Sequence, residues 1–142
     1  MSIISHDSVN RIISVEVMVS QPSDSSMVTI YAPPITVPSG TWTVNWDLVV
    51  TTEGLLAQFA SSGIALLTDC PLPSKVTVVS PPAAVSLHRW SLQLGNDVDD
   101  VNTLGYGIGI DWSSAGGTGT ALLPAYHDPT IVVVKDPQDP PT

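Results

Sequence analysis

Oxygen-bearing side chains cluster between residues 95 and 102. Asp97, Asp99, Asp100 and Asn102 lie within this stretch, and carboxylate and amide oxygens are ligands that Ca²⁺ prefers. An EF-hand loop that begins at Asp97 needs glycine at its sixth position and glutamate at its twelfth, and this chain has neither there. These four residues are therefore candidate calcium ligands in a loop of another kind. The alternative is a solvated hairpin loop without metal.

Aromatic residues beside polar ones form a second group of candidates. Trp42 and Trp46 alternate with polar residues and share a face with Val44 and Leu48, which predicts that both lie in the core. Trp90 shares a mixed face with Ser86, His88 and Leu92, so we expect it to be exposed. Exposed rings can stack on sugar faces while nearby side chains bind the hydroxyl groups. The candidate ligand-binding residues are Trp90, His88, Tyr106, Tyr126, His127 and Asp128.

Glycine occupies every second position in the stretch Leu104–Trp112. On a strand, the glycines at 105, 107 and 109 share one face, whereas Tyr106 and Trp112 lie on the other. A face without side chains lets a neighbour approach the backbone closely. We expect tight packing against Trp42, Trp46 or Trp90, with a ligand platform as the alternative. The spacing differs from the dinucleotide-binding fingerprint, in which the third glycine comes later and a helix follows.

Catalytic patterns are weak in this chain. The three histidines, His6, His88 and His127, show no metal-ligand spacing with one another or with Cys70. No nucleophile elbow is present. We therefore predict that the protein is not an enzyme and needs no cofactor other than the candidate Ca²⁺. A hydrolase remains as a weakly supported alternative.

Strands are the elements that must position these residues. Apolar residues alternate with polar ones from Ile13 to Val19 and from Trp42 to Val50, which is typical of strands with one buried face. Further valine-rich runs are separated by proline, glycine and serine turns. These candidate strands are Met27–Tyr31, Lys75–Val79, Val85–Leu94, Leu104–Trp112 and Thr130–Lys135.

One segment departs from this pattern. Leu55, Leu56 and Phe59 have helical spacing, which predicts a short helix or irregular loop at Gly54–Ala60, followed by a strand at Ile64–Leu67. The whole pattern predicts an all-β, single-domain fold over residues 1–135. It is a two-sheet β-sandwich or jelly roll of about eight strands. A proline-rich tail follows at residues 136–142.

Composition limits the partners of the protein. Only 12% of the 142 residues are charged, and the net charge is −9. So few cations exclude a polyanion such as nucleic acid as a good partner and disfavour an anionic membrane surface. No apolar run is long enough to predict membrane insertion. A positive mean hydropathy of +0.27 predicts that part of the surface is covered by a second copy, as in a homo-oligomer.

Localisation is predicted from the first residues and from the cysteine content. The first residues lack a secretory signal pattern. Cys70 is the only cysteine and cannot form an internal disulfide. We therefore expect a cytoplasmic protein, with a virion as the alternative.

Three short segments carry a resemblance to a known family. The segment from Tyr126 to Val133, Tyr-His-Asp-Pro-Thr-Ile-Val-Val, is similar to the closing segment of the AidA/PixA-type bacterial inclusion-body proteins. Trp42–Val49 resembles a middle strand of those proteins, and Leu104–Trp112 a later one. The resemblance implies a β-sandwich, oligomers, dense intracellular deposits and, in some members, glycan binding. It implies no catalytic residues.

Two functions of different classes follow. The first is a non-enzymatic, self-associating β-sandwich protein of the inclusion-body kind, with a carbohydrate-binding site as an additional feature. The alternative is a capsid or decoration subunit of a virus or phage, which also favours a jelly roll with few charges and many hydroxyl groups. The hydrolase comes third.

Overall fold

Alternating burial along the strands divides the chain into two sheets that share one core. The computed structural model describes residues 4–21, 28–66, 75–97, 102–114, 117–123 and 130–133. The strands in these ranges are β1 (Ile4–Asp7), β2 (Ile12–Ser20), β3 (Thr29–Tyr31), β4 (Ile35–Val37), β5 (Gly40–Val50), β6 (Leu56–Leu66), β7 (Val76–Ser86), β8 (Arg89–Asn96), β9 (Asn102–Ser114), β10 (Gly117–Leu123) and β11 (Thr130–Val133). No helix occurs in these ranges that could cross a membrane.

The first sheet has the order β1-β2-β5-β8-β7, with β3 also paired to β2. β2 and β5 pair in parallel, with a register that runs from Ile12↔Thr43 to Val19↔Val50. Between them the chain contributes β4 to the second sheet. The second sheet has the order β10-β9-β11-β4, with β6 also paired to β9. The predicted all-β, two-sheet architecture is confirmed. The described ranges contain eleven strands rather than about eight, because β1, β4 and β10 lack the valine-rich alternation used to predict strands.

The core lies between the inward faces of the two sheets. In β2, Ile13, Val15, Val17 and Val19 are fully buried, as period two requires. Trp42 and Trp46 are buried, as predicted.

A buried hydrogen bond joins the two sheets within this core. Trp46 packs on Tyr106 of the second sheet with ring centroids 5.1 Å apart. Its Nε1–H donates a hydrogen bond of 3.0 Å to the Tyr106 hydroxyl. Burial raises the pKa of Tyr106, because the charged phenolate is poorly solvated in the core.

The helix or loop predicted at Gly54–Ala60 is wrong. β6 begins at Leu56 and pairs with β9, with a register shift between Phe59 and Ile64. Leu55, Ala57 and Phe59 are buried whereas Leu56 is 71% exposed, which is the alternation of a strand. Backbone pairing with β9 therefore overrides the helical spacing of the leucines.

The single strand predicted at Val85–Leu94 is two strands. β7 ends at Ser86 and β8 begins at Arg89, so the chain turns at Leu87 and His88. The prolines at 81 and 82, expected to break a strand, lie within β7, and its register with β8 shifts between Ser80 and Ala83. An edge strand tolerates proline because one side of it needs no hydrogen-bond partner.

The core tryptophan Trp90 is approached by Gly63 and not by a glycine of β9. Tyr106, Ile108 and Ile110 are buried in the core, so the glycines at 105, 107 and 109 lie on the opposite face of β9. The predicted packing of those glycines on a core tryptophan is therefore wrong. A Cβ atom at Gly63 would lie 2.6 Å from both Cζ2 and Nε1 of Trp90. Only glycine fits against the ring at that position.

Candidate functional site

An open cleft lies where the β7–β8 turn meets the second sheet. Its volume is about 410 Å³. The lining residues come from one end of β6, from the end of β9 and from the turn: Leu56, Ala57, Gln58, Asp111, Trp112, Ser113 and His88. The cleft combines apolar surface with five side chains that can hydrogen bond or stack.

Main-chain hydrogen bonds fix the turn that carries His88. The Leu48 N–H donates to the His88 carbonyl oxygen, and the Phe59 N–H donates to the Leu87 carbonyl oxygen, both at 2.9 Å. The turn is therefore attached to both sheets. His88 Nε2 lies 3.0 Å from the Ala57 carbonyl oxygen. Because a carbonyl oxygen only accepts, this contact places a proton on Nε2.

Trp112 supplies the aromatic surface of the cleft. It is half-buried, and its cross-strand partners are Gly119 on β10 and Ala57 on β6. A Cβ atom at Gly119 would lie 3.2 Å from Trp112 Nε1 and 3.3 Å from Cζ2, so the indole lies over this glycine. Small residues on both neighbouring strands leave room for the ring and support it from beneath.

Asp111, which also lines the cleft, carries its carboxylate on the face of β9 opposite to the Trp112 ring. The Thr120 hydroxyl on β10 donates a hydrogen bond of 2.7 Å to Asp111 Oδ1. On the other side, Asp111 is directly opposite Gln58, whose side chain is exposed. A carboxylate that accepts and an amide that both donates and accepts therefore stand together at the cleft.

A second cleft, of about 350 Å³, lies at the far end of β8. Its lining includes Gly95, Thr77, Lys75 and Asp97, and no aromatic side chain is among its described lining residues. The two clefts are thus chemically different. The first offers a ring with a carboxylate, and the second offers hydroxyl groups between a cation and an anion.

The structure separates the residues predicted to bind a ligand. His88 lines the first cleft. Trp90 is only 9% exposed, so the expected exposure is wrong. It pairs directly with Trp46 across β5 and β8, and both rings therefore lie on the core face. Tyr106 is fully buried, while Tyr126, His127 and Asp128 lie outside the described residues.

The predicted calcium ligands are only partly described. Asp97 is exposed, and its N–H donates to the Lys75 carbonyl oxygen. Asn102 begins β9, and Asp99 and Asp100 lie outside the described residues. Within the described part of the chain, no three His, Cys, Asp or Glu side chains form a group that could hold a metal ion. The calcium site therefore remains a prediction.

Sequence reasoning missed Trp112, Asp111 and Gln58 as site residues. The alternation predicts only that Trp112 shares the face of β9 opposite the glycines. That face is the core face, and Trp112 lies near its end, partly buried against the core. The sequence signal for this site is the stretch Gly117-Thr118-Gly119-Thr120, which pairs with the end of β9. Gly119 lies opposite Trp112 and leaves space for its ring.

A comparison of the chain with models of known protein families finds no match, and a search of curated proteins finds no significant match. The side chains of the first cleft therefore provide the basis for proposing a function.

Proposed function

We propose that this protein is a non-enzymatic, self-associating β-sandwich that binds carbohydrate in the first cleft. The observation that carries the proposal is the half-buried indole of Trp112, which lies over Gly119 and lines the open cleft. Binding sites for small ligands combine apolar surface with a few well-placed polar groups. This cleft has that combination.

The chemistry of the cleft matches a sugar ring. The apolar face of a sugar carries C–H bonds that are attracted to the negative face of an indole. Its hydroxyl groups can exchange hydrogen bonds with polar residues of the cleft lining. The cleft is open rather than enclosed, which suits one or two units of a longer glycan.

The arrangement of the polar groups favours binding over hydrolysis. Glycoside hydrolases usually need two carboxyl groups across the scissile bond. Asp111 is the one carboxylate among the described lining residues. The Nε2 proton of His88 points to the Ala57 carbonyl oxygen, which holds the ring in place. The His88 ring is therefore committed to this hydrogen bond, and Asp111 has no second carboxylate among these lining residues to act with.

Self-association is supported by surface features near the cleft. Leu56 is 71% exposed, Val85 62% and Leu87 58%. Strand β10, at one end of the second sheet, has no proline and no charged residue, which are common protections against edge-to-edge pairing. Copies that share an interface would also present several clefts together, which strengthens weak binding to a repeating glycan.

A glycan array tests the proposed binding. The wild-type protein is expected to bind at least one oligosaccharide, and Trp112→Ala to weaken that binding at least about tenfold through loss of the stacking surface. Gln58→Ala, at an exposed position, should weaken binding without affecting the fold. Tyr31→Ala is the matched control, because Tyr31 is 53% exposed but lies outside the cleft.

Two outcomes would contradict the proposed binding. One is the absence of binding to every oligosaccharide on the array. The other is equal binding by the wild type and Trp112→Ala.

Light scattering tests the proposed self-association. At micromolar concentration the protein should have the mass of a dimer or a larger assembly. A mass near the 14.9 kDa of a single chain would contradict it.

A further inference from the structure

Strand β10 leaves one side of the second sheet open. It pairs with β9 along its whole length, from Gly117↔Ser114 to Leu123↔Ile108. No other described strand pairs with β10. A strand that is paired on one side only presents main-chain N–H and C=O groups to which a further strand can bind.

The other long edges of the two sheets are protected against such pairing. Two prolines lie within β7, which ends the first sheet, and its register with β8 shifts there. On β6, the Phe59 N–H donates to the Leu87 carbonyl oxygen, and the His88 ring binds the Ala57 carbonyl oxygen. The β7–β8 turn therefore occupies two main-chain groups of β6 that a further strand would need.

The remaining edge strands are short. β1 has four residues, and β3 and β4 have three each. β10 has seven residues, and none of them is proline or charged. Short length, proline, charge and a covering segment are the usual protections of a sheet edge. Among the described edge strands, β10 is the one that lacks all four.

Charge decides which surface a second copy can approach. Each chain carries −9, so two copies repel each other wherever acidic side chains would meet. β10 has no charged side chain, and its neighbour β9 has one, Asp111. Adjacent strands are about 4.8 Å apart, so two copies paired through β10 would keep their β9 strands about 14 Å apart. That distance exceeds the screening length of about 8 Å at physiological salt, and the two Asp111 charges would repel only weakly.

We infer that two copies of the protein associate by antiparallel pairing of β10 with β10, which joins their second sheets into one continuous sheet. This inference rests on the proposed self-association and names its interface. A two-fold axis makes the strand its own partner, because each copy offers the same row of donors and acceptors in the opposite direction. Thr118 and Thr120 are exposed and favour the pairing, since β-branched residues suit a pleated surface.

A matched pair of substitutions tests this interface. Thr118→Glu places a negative charge on β10 of each copy and so brings like charges together across the strand pair. In sedimentation equilibrium, this variant should raise the dissociation constant of the dimer at least about tenfold. Thr77→Glu adds the same charge at an exposed position of β7. It should leave the dissociation constant within about threefold of the wild type.

Hydrogen exchange of the wild-type protein tests the pairing without a substitution. As the protein concentration rises through the dissociation constant, amides of β10 should exchange more slowly, because those on its open side become hydrogen bonded. Amides of β7 should exchange at a constant rate. This measurement decides the question even if Thr118→Glu does not fold.

The outcomes separate this inference from the self-association on which it rests. If Leu87→Glu weakens the dimer and Thr118→Glu does not, the copies meet through the exposed apolar side chains near the β7–β8 turn. The inference is then wrong and self-association stands. A dimer that forms without any change of exchange in β10 leads to the same conclusion. If the wild type stays a single chain at every concentration, both the self-association and the inference fail.

Discussion

Replacing Gly63 by alanine places one methyl group against a ring that cannot move freely. The new Cβ would lie 2.6 Å from two atoms of the Trp90 indole, whereas carbon atoms in contact are normally about 3.5–4.0 Å apart. The strand or the ring must therefore shift by about 1 Å. Trp90 is 9% exposed and packs on Phe59 with ring centroids 6.3 Å apart, so neighbouring core residues must move too.

This overpacking is expected to cost about 1–3 kcal/mol. For a domain of this length, a loss of 1 kcal/mol lowers the melting temperature by roughly 3 °C. Gly63→Ala should therefore melt about 3–9 °C below the wild type. Differential scanning calorimetry measures this change, and urea denaturation gives the free energy of unfolding.

Gly95→Ala, in β8 of the first sheet, is the matched control for the same substitution. The nearest atoms to its new Cβ are 3.7–3.8 Å away, which is ordinary contact. Neither glycine has the left-handed backbone that alanine avoids. Gly95→Ala should keep or raise stability, by up to about 1 kcal/mol, because alanine restricts the unfolded chain. Equal melting temperatures for the two variants would refute close packing of Gly63 on Trp90.

The further predictions concern three buried or paired polar residues. Tyr106→Phe removes the acceptor for the Trp46 N–H and should cost about 1–3 kcal/mol in urea denaturation, whereas an unchanged free energy of unfolding would contradict that bond. Burial raises the pKa of Tyr106 above its value in the unfolded chain. The neutral phenol therefore contributes its full stabilisation below about pH 10, and this stabilisation is lost as the pH rises further. The free energy of unfolding should therefore fall less steeply above about pH 10 in Tyr106→Phe than in the wild type. The Asn96 side-chain amide donates hydrogen bonds to two main-chain carbonyl oxygens. Aspartate would place a carboxylate against those oxygens, so Asn96→Asp should lower the melting temperature more than Asn96→Ala does. The reverse order would contradict these two hydrogen bonds. Arg89→Ala breaks the surface ion pair with Asp47, in which the two side chains are 46% and 32% exposed. In urea denaturation this variant should lose less than about 1 kcal/mol of unfolding free energy. A larger loss would contradict the assignment of the pair as solvent-screened.

Period-two alternation predicts the faces of β2 and β5 because both strands are long and regular and contribute one face to the core. The same pattern places Trp42 and Trp46 inside, as observed. It fails for Trp90, because the residues used to judge its face, Ser86 and His88, precede the strand that begins at Arg89. Alternation cannot be counted across a turn, since the chain reverses there.

The position of the cleft depends on pairings between distant strands. Trp112 is half-exposed because Gly119 of β10 lies beneath its ring and because β9 ends near the β7–β8 turn. Neither relation follows from the alternation of apolar and polar residues along β9 itself. Similarly, β6 forms against β9 although Leu55, Leu56 and Phe59 have helical spacing, because tertiary pairing outweighs local preference.

Nuclear magnetic resonance of the indole N–H groups tests binding at Trp112 most directly. The chain has four tryptophans, and the signal of Trp112 is identified by its loss in Trp112→Phe. During titration with an oligosaccharide that binds on the array, the Trp112 signal should shift and saturate. The Trp46 signal, from an N–H bonded to Tyr106 in the core, should stay in place. A fixed Trp112 signal under saturating oligosaccharide would contradict carbohydrate binding in this cleft.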